Sequence, residues 1–481
     1  MQGYAAAYAR QAMAYIGQII GYKAQWEEDG KRYMEKRNPG GYMFSNADLR
    51  RLIFPLIVEQ ILAVSVGMVD TMMVSSVGEA ATSGVSLVDM VNTLFINIFA
   101  AVATGGAVVS SQYLGQKRQD RACQSADQLL IITGILSLAI MAVCIVFRRE
   151  FLSLLYRGVA EDVMRNARTY LVISAVSYPF LSVYNSCAAL FRSMGNSKVS
   201  MKVSLAMNAI NVAGNALCVF GLRMGVEGVA IPTLLSRMFA AVVMVLLVRS
   251  PKNSIRVNRL SQLIPQPDMI KKILSVGIPS GLENGMFQFG KIALQSLVST
   301  LGTASIAGYA VATNLVTFQY LPGVALGLGL ITIVGQCVGA GEPEQAKAYT
   351  KKVIAVNYGL LLVICTCMAF FRSQVVGIYN LSPEASDLAQ KLLLAHSFGM
   401  VLWPLAFALP NTLRAGLDAR FTMLVSVFSM WTFRIGLSYV FVMGLHMGVL
   451  GIWYAMFADW IFRLIVFVWR FKGFSTRVRQ V

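Results

Sequence analysis

From Arg51 onward the chain alternates long apolar runs with short polar segments. The runs fall near 52–76, 87–111, 127–147, 169–191, 203–220, 226–248, 273–298, 310–335, 353–371, 392–413, 421–443 and 449–469. Each is roughly the 20 residues that a helix needs to cross about 30 Å of hydrocarbon. A helix also satisfies its own backbone hydrogen bonds, which a lipid environment requires. The pattern predicts an all-α integral membrane protein of about twelve transmembrane helices. Residues 1–45 do not span. Met13, Ile16 and Ile20 share one helical face, with Arg10, Gln18 and Lys23 nearby. That reads as a surface or interfacial helix, without the h-region and cleavage site of a signal peptide.

The apolar pattern repeats. Pro55, Gly78, Gly84, Gly105, Gln112 and Gly115 recur as Pro279, Gly302, Gly308, Gly329, Gln336 and Gly339, always 224 residues on. Arg192 and Met201 match Arg414 and Met423, and Gly221–Gly228 recurs as Gly444–Gly451. Six spans per half is an even number, so both halves enter the bilayer from the same side. The repeat is then parallel, with a pseudo-twofold axis along the membrane normal. The chain divides into an N-terminal cytoplasmic or interfacial segment (1–45), a six-helix N-lobe (46–248), a basic linker with three prolines (249–272), a six-helix C-lobe (273–471) and a tail (472–481).

Composition agrees with a lipid-facing chain. Charged residues make up 13% of 481, against about 25% in soluble proteins. The net charge of +18 would suit nucleic acid, but the basic residues sit in the short loops, so no nucleic-acid partner is expected. With the N-terminus inside, 29 Lys and Arg fall on the inner side and 8 on the outer. That places the protein in the cell (inner) membrane, multi-pass, with both termini cytoplasmic. The seven Cys form no CxxC pair, and only two His occur, His396 and His446. Neither a disulfide framework nor a metal site is expected, and nothing suggests an enzyme.

Charges inside a membrane are costly, about 2.5–3.5 kcal/mol each on insertion scales, so each needs a reason. Glu59 and Asp70 lie in the first span on one face, roughly 16 Å apart along the axis. Asp70 sits in the outer third and reads as a cation or proton site facing a central cavity, or as a structural hydrogen-bonding group, the former preferred. Glu283 is the repeat mate of Glu59, four residues after its proline; the two are gating or second coupling groups, or structural hydrogen-bonding groups. Asn208, Asn211 and Asn215 stripe the fifth span, lining a polar cavity or tying helices together. Asp89, Asn92 and Asn97 polarise the second span, with Asp89 near its solvated outer end. Lys291 is either a charge partner of Glu283 or locked in a salt bridge to another helix, the latter preferred. Asp459 and Arg463, at i and i+4, can neutralise each other, whereas Arg434 has no mate in its own helix. Trp403-Pro404 to Pro410-Asn411 is the hinge candidate among the span prolines. Some of the 25 Met and 26 Phe can line a greasy, adaptable pocket.

Several stretches together resemble the multidrug and toxic compound extrusion (MATE) family, over roughly residues 45–472. Pro55 followed by Val69-Asp70-Thr71-Met72-Met73-Val74 is similar to the prokaryotic branch's first span. Gly335-Gln336-Cys337-Val338-Gly339-Ala340-Gly341, with Glu344-Gln345-Ala346, resembles the loop after the eighth span. Leu190-Phe191-Arg192-Ser193-Met194-Gly195 and Leu413-Arg414-Ala415-Gly416 resemble the fourth- and tenth-span endings. The resemblance implies a V-shaped, two-lobe antiporter, driven by H⁺ or Na⁺ and without other cofactor. It would export amphipathic, often cationic, small organic compounds. Asp70 would belong to the N-lobe coupling site, with Asn211 and Asn215. Asn215 stands where that branch often has an Asp, so a second titratable group is missing there; Glu283 does not match the spacing of another branch's seventh-span Glu. The partners expected are small molecules and lipid, with the chain a monomer. A lipid or lipid-linked saccharide flippase of related fold is the alternative, and a channel or non-transporting receptor a further one.

The charge asymmetry sets a first test. With the native cysteines replaced, a single Cys at position 260, in the linker, should resist a membrane-impermeant thiol reagent added outside cells. One at position 304 should react. The opposite labelling would invert the orientation.

Overall fold

The computed structural model describes residues 42–156, 159–257 and 264–478. The expected surface helix around Met13, Ile16 and Ile20 lies outside the described residues. Among the described residues the regular elements are all helices, and one covers each of the twelve apolar runs. They are α1 (Asn46–Ser75), α2 (Glu79–Gly115), α3 (Gln119–Val146), α4 (Glu161–Ser193), α5 (Ser197–Gly221) and α6 (Glu227–Val248) in the first half. The second half holds α7 (Pro267–Ser299), α8 (Thr303–Gly339), α9 (Pro343–Phe370), α10 (Pro383–Gly399 and Pro404–Ala415), α11 (Ala419–Gly444) and α12 (Gly448–Lys472). Ten of these are each long and apolar enough to cross a membrane, and the bent pair of α10 makes eleven. The twelfth, α7, has 33 residues, but Asn284, Gln288, Lys291 and Gln295 make it polar.

Helix boundaries follow local chemistry. Ser45 caps α1: its hydroxyl accepts from the Asp48 amide at 3.1 Å, and the Asp48 carboxylate accepts from the Ser45 amide at 2.8 Å. This reciprocal box satisfies two amides that the first turn leaves orphaned. α7 begins at Pro267, six residues before the apolar run, because a proline at the first helical position loses no hydrogen bond. The linker is therefore shorter than hydropathy alone suggests. It is tied to α3 by Gln128, which donates to the Ile264 carbonyl and accepts from the Gln266 amide, both at 2.8 Å. α10 bends by 68° just before Pro404, within the stretch expected to act as a hinge. Pro404 has no N–H to give the preceding turn, and residues 404–408 continue as a π-turn.

The lobes are bundles with matching contacts. In the first, α2 packs along α4, α4 along α6, and α1 along α5; in the second, α8 packs along α10 and α7 along α11. The first helix of each half also crosses over. Leu49, Leu52 and Leu56 at the start of α1 are buried among α8, α9 and α10. Met269 and Ile273 at the start of α7 are buried among the helices of the first lobe.

Between the lobes, the closest approach is at the end of the molecule that carries the linker. A Cβ added at Gly115 would collide with the Gln336 carbonyl, and one at Gly339 with the Gln112 carbonyl. Gln112 donates to the Ala415 carbonyl and Gln336 to the Ser193 carbonyl, each at 2.6 Å. Both pairs obey the repeat, so this end is closed by a pseudo-twofold seal of backbone against backbone. Further along, Gly277 and Gly281 of α7 meet Ala101 and Val102 of α2, and Gly285 still reaches Leu94 at 3.9 Å. α1 and α7, which flank this level, do not pack along each other.

The seal predicts a position-specific effect. Gly339→Val should lower thermal stability by roughly 1–3 kcal/mol through overpacking, read as a drop in the melting temperature of the purified protein. Gly359→Val, in open space on α9, should leave it nearly unchanged. Equal melting of the two variants would argue that α2 and α8 do not touch there.

Candidate functional site

Asp70 lies half-buried in the outer part of α1, where α1, α5 and α6 meet. Asn215 donates through Nδ2 to Asp70 Oδ1 at 2.7 Å. The same amide lies 3.4 Å from Asn211 Oδ1, and Asn211 Nδ2 donates to Thr233 Oγ1 at 2.9 Å. The structure thus brings Asp70, Asn211 and Asn215 together in one chain of contacts across three helices. Asn208, the remaining member of the stripe, has a buried Nδ2 without a hydrogen-bond partner.

Two further charged groups lie in the same lobe. Asp89 of α2 accepts from Asn92 Nδ2 at 3.1 Å and from the Tyr170 hydroxyl at 3.3 Å, and its field reaches Asp70. Arg237 of α6 donates to Ser177 Oγ at 2.6 Å and lies within electrostatic reach of both carboxylates. Asp89 is exposed near the outer end of α2, as expected of a solvated acid, and ties α2 to α4 through Tyr170. Neither Arg237 nor Thr233 can be assigned to Asp70 from spacing, because they lie more than 160 residues away in sequence; the one available signal is an arginine inside an apolar run.

Glu59 and Glu283 lie toward the closed end, buried to 8% and 7% exposure. Each faces the arginine that ends a helix in its own half. Arg414 binds Glu283 with Nη2 at 2.7 and 2.8 Å from its two oxygens. Arg192 lies 3.7 Å from Glu59, whose other oxygen accepts from Ser200 Oγ at 2.9 Å. The repeat thus relates two acid–arginine pairs. Lys291 joins neither: Glu283 is taken by Arg414, and the expected locked bridge from Lys291 to another helix is not formed among the described residues. Lys291 is exposed, with no hydrogen-bond or ion-pair partner among the described residues. The Asp459–Arg463 pair forms as expected, at 2.7 Å. Arg434 finds its nearest acid on α12, not on its own helix, with Nη1 3.8 Å from Asp459 Oδ2.

The acid–arginine pairs differ in geometry, which predicts unequal mutants. Glu283→Gln leaves a buried guanidinium uncompensated and should cost about 3–5 kcal/mol. Glu59→Gln, with a longer ion pair and a hydroxyl that can still donate, should cost about 1–2 kcal/mol. Thermal unfolding of the purified variants checks the order; greater damage from Glu59→Gln would contradict it.

Comparison with known proteins fits this geometry. The MatE family model matches residues 55–217 and 279–440, two stretches that begin one repeat offset apart. The uncharacterized transporter YisQ of Bacillus subtilis is 26% identical over 454 residues, covering 91% of this chain and 98% of its own. The probable multidrug resistance protein NorM of Thermotoga maritima is 24% identical over 448 residues, covering 90% and 95%. A solved multidrug resistance MATE family transporter in an outward-facing conformation superposes with a TM-score of 0.84 at 19% identity, covering 89% of this chain and 96% of its own. With a family model spanning more than half of its length and a shared two-lobe fold, the chain belongs to the MatE family of multidrug and toxic compound extrusion proteins, and is a multi-pass membrane transporter, not an enzyme.

Proposed function

We propose that the protein is a secondary antiporter that couples entry of H⁺ or Na⁺ at Asp70 to export of amphipathic, often cationic, small organic compounds through the cleft between its lobes. The observation that carries this reading is the Asp70–Asn215–Asn211–Thr233 chain, a carboxylate inside a lobe, held by a neutral amide and placed where three helices meet. A carboxylate at membrane depth that faces neutral donors can exchange a small cation, because its charge is not consumed by a close ion pair. Among relatives, proteins named as probable multidrug resistance proteins support the substrate class.

The lobes part on the side away from the linker. With the linker cytoplasmic, as the basic loops favour, the cleft opens outward. A cation arriving from outside then meets Asp70 while a compound can leave. Occupation of Asp70 alters the packing of α1 against α5 and α6, and so biases the two arrangements of the lobes. An ion that favours one arrangement and a compound that favours the other give exchange, since each shifts the equilibrium by its difference in affinity. A proton needs only the Asp70 carboxylate, whereas Na⁺ would use oxygen ligands such as Asn215 Oδ1, buried without a hydrogen-bond partner; separate gradients distinguish them.

Asp70→Asn removes the charge and keeps the shape. In proteoliposomes with an imposed H⁺ or Na⁺ gradient, it should abolish driven export of a cationic dye, while melting stays close to that of the unchanged protein. Near-normal driven export by the folded variant would remove Asp70 from coupling and leave Glu59 and Glu283 as the next acids to test.

A further inference from the structure

The two lobes share a fold but carry opposite charge. The first holds Asp70 and Asp89 with Arg237. In the second, the repeat offset of 224 puts Leu294 in place of Asp70, Thr313 in place of Asp89 and Lys291 in place of Gly67. At the offset of 223 set by Gly221 and Gly444, Arg434 stands where Asn211 does and Ser438 where Asn215 does. The offset changes from 222 at Met201 and Met423 to 223 at Gly221 and Gly444, so α11 contains one extra residue. Residues 430–436 of α11 form a π-turn, whereas the matching part of α5 is regular α-helix. A π-turn absorbs an inserted residue and often marks a functional site; here it carries Arg434.

Lys291 lies at the edge of the face that α7 turns to the other lobe. Along α7, Gly277, Gly281 and Gly285 mark the side turned to α2 of the other lobe. Asn284, Gln288 and Gln295 continue that side at helical spacing toward the open end, together with the exposed Ile292, and Lys291 lies on its flank. Phe287 and Leu294, on the same flank but further round, turn into the second lobe, and Phe289 is exposed and apolar on the opposite flank.

The local charges do not balance. Among the described residues Asp459 is the acid that faces them; its Oδ1 is bound by Arg463 Nε at 2.7 Å and Ser429 Oγ at 2.5 Å, and its Oδ2 is buried without a hydrogen bond. Arg463 also donates to the Ser426 carbonyl at 2.9 Å. Arg434 keeps only the long approach to Asp459, and its Nε is buried without a hydrogen bond. Gly290, next to Lys291, packs against Met430 and Ile435 of the π-turn that carries Arg434, and Lys291 has no counter-ion among the described residues. Two like charges at membrane depth, one half-buried with an unused donor and one exposed at the edge of the cleft, call for an anion. Aromatic rings flank them: Phe287 lies 5.8 Å from the Arg434 guanidinium and 4.8 Å from that of Arg463, and Phe407 lies 5.2 Å from the latter.

We infer that Lys291 and Arg434 form an anion subsite that takes the carboxylate of the exported compound, so that aromatic amphipaths bearing a carboxylate are preferred substrates. This rests on the export reading and narrows its substrate class. In such a compound the acid group lies against the second lobe and the aromatic part against its ring-lined wall. Any amine is left toward the acidic first lobe. Lys291 supplies a mobile point charge and Arg434 the hydrogen-bonding fork.

The experiment is equilibrium binding of two dyes to the purified protein in detergent, followed by fluorescence anisotropy. Rhodamine B carries a free carboxylate; its ethyl ester has the same rings with that group masked. The unchanged protein should bind the acid more tightly than the ester. Lys291→Gln should weaken binding of the acid roughly tenfold, as expected for a hydrogen-bonded charge pair, and leave the ester unchanged or tighter. Lys291→Arg should restore most of the acid's affinity. Lys291 is exposed and unpaired, so these variants are expected to fold, and their melting temperatures check it. Equal loss for both dyes, no loss for the acid, or tighter binding of the ester by the unchanged protein would each overturn the subsite. Binding needs no gradient. A protein that selects the acid through Lys291 but moves neither dye under either gradient would overturn the antiport reading alone. One that exports both dyes without distinguishing them would overturn the subsite alone.

Discussion

The structure depends on how closely two helices of different lobes can approach. α2 and α8 touch backbone to backbone because Gly115 and Gly339 have no side chains there. Gln112 and Gln336 then reach across to carbonyls that helix ends leave free. In lipid there is no hydrophobic drive for helices to associate, so close van der Waals contact and interhelical hydrogen bonds must hold them. Small residues at this one level supply both. The crossed-over starts of α1 and α7 add buried apolar area on each side of the same seam.

A seal confined to one end has a mechanical consequence. Lobes joined from the linker end up to Gly285 and Leu94 can part beyond that level, and the polar groups of α1 and α7 then face a shared cleft. The buried acid–arginine pairs sit between the seal and this cleft, with Glu283 held by two short contacts and Glu59 by one longer one. They are symmetric in sequence but unequal in geometry. The two lobes therefore resist movement differently although they come from one repeated unit.

Duplication kept the frame and released the sites. Positions that make the frame, such as Pro55 and Pro279 or Gln112 and Gln336, match across the halves. Positions that face the lobe interiors do not: Asp70 answers to Leu294 and Asn211 to Arg434. Packing constrains the first set on both sides of the pseudo-axis. The second set is constrained only by what each lobe binds, so one lobe could become acidic and the other basic without disturbing the fold.

By itself, the sequence determined the twelve apolar runs, the duplication and the proline break in α10, while the family resemblance supplied the grouping of Asp70 with Asn211 and Asn215. The first three follow from apolar length, a constant offset and a missing N–H, all of which are local or periodic along the chain. Only the tertiary structure decided which charges meet. Glu283 takes Arg414 and not Lys291, and Arg434 takes Asp459. Asp89 takes Tyr170 and Arg237 takes Ser177, and α1 and α7 begin inside the opposite lobes. An ion pair forms between whichever side chains packing turns toward each other. That depends on the rotation of each helix about its axis, and one extra residue absorbed in a π-turn is enough to change it, as it does around Arg434.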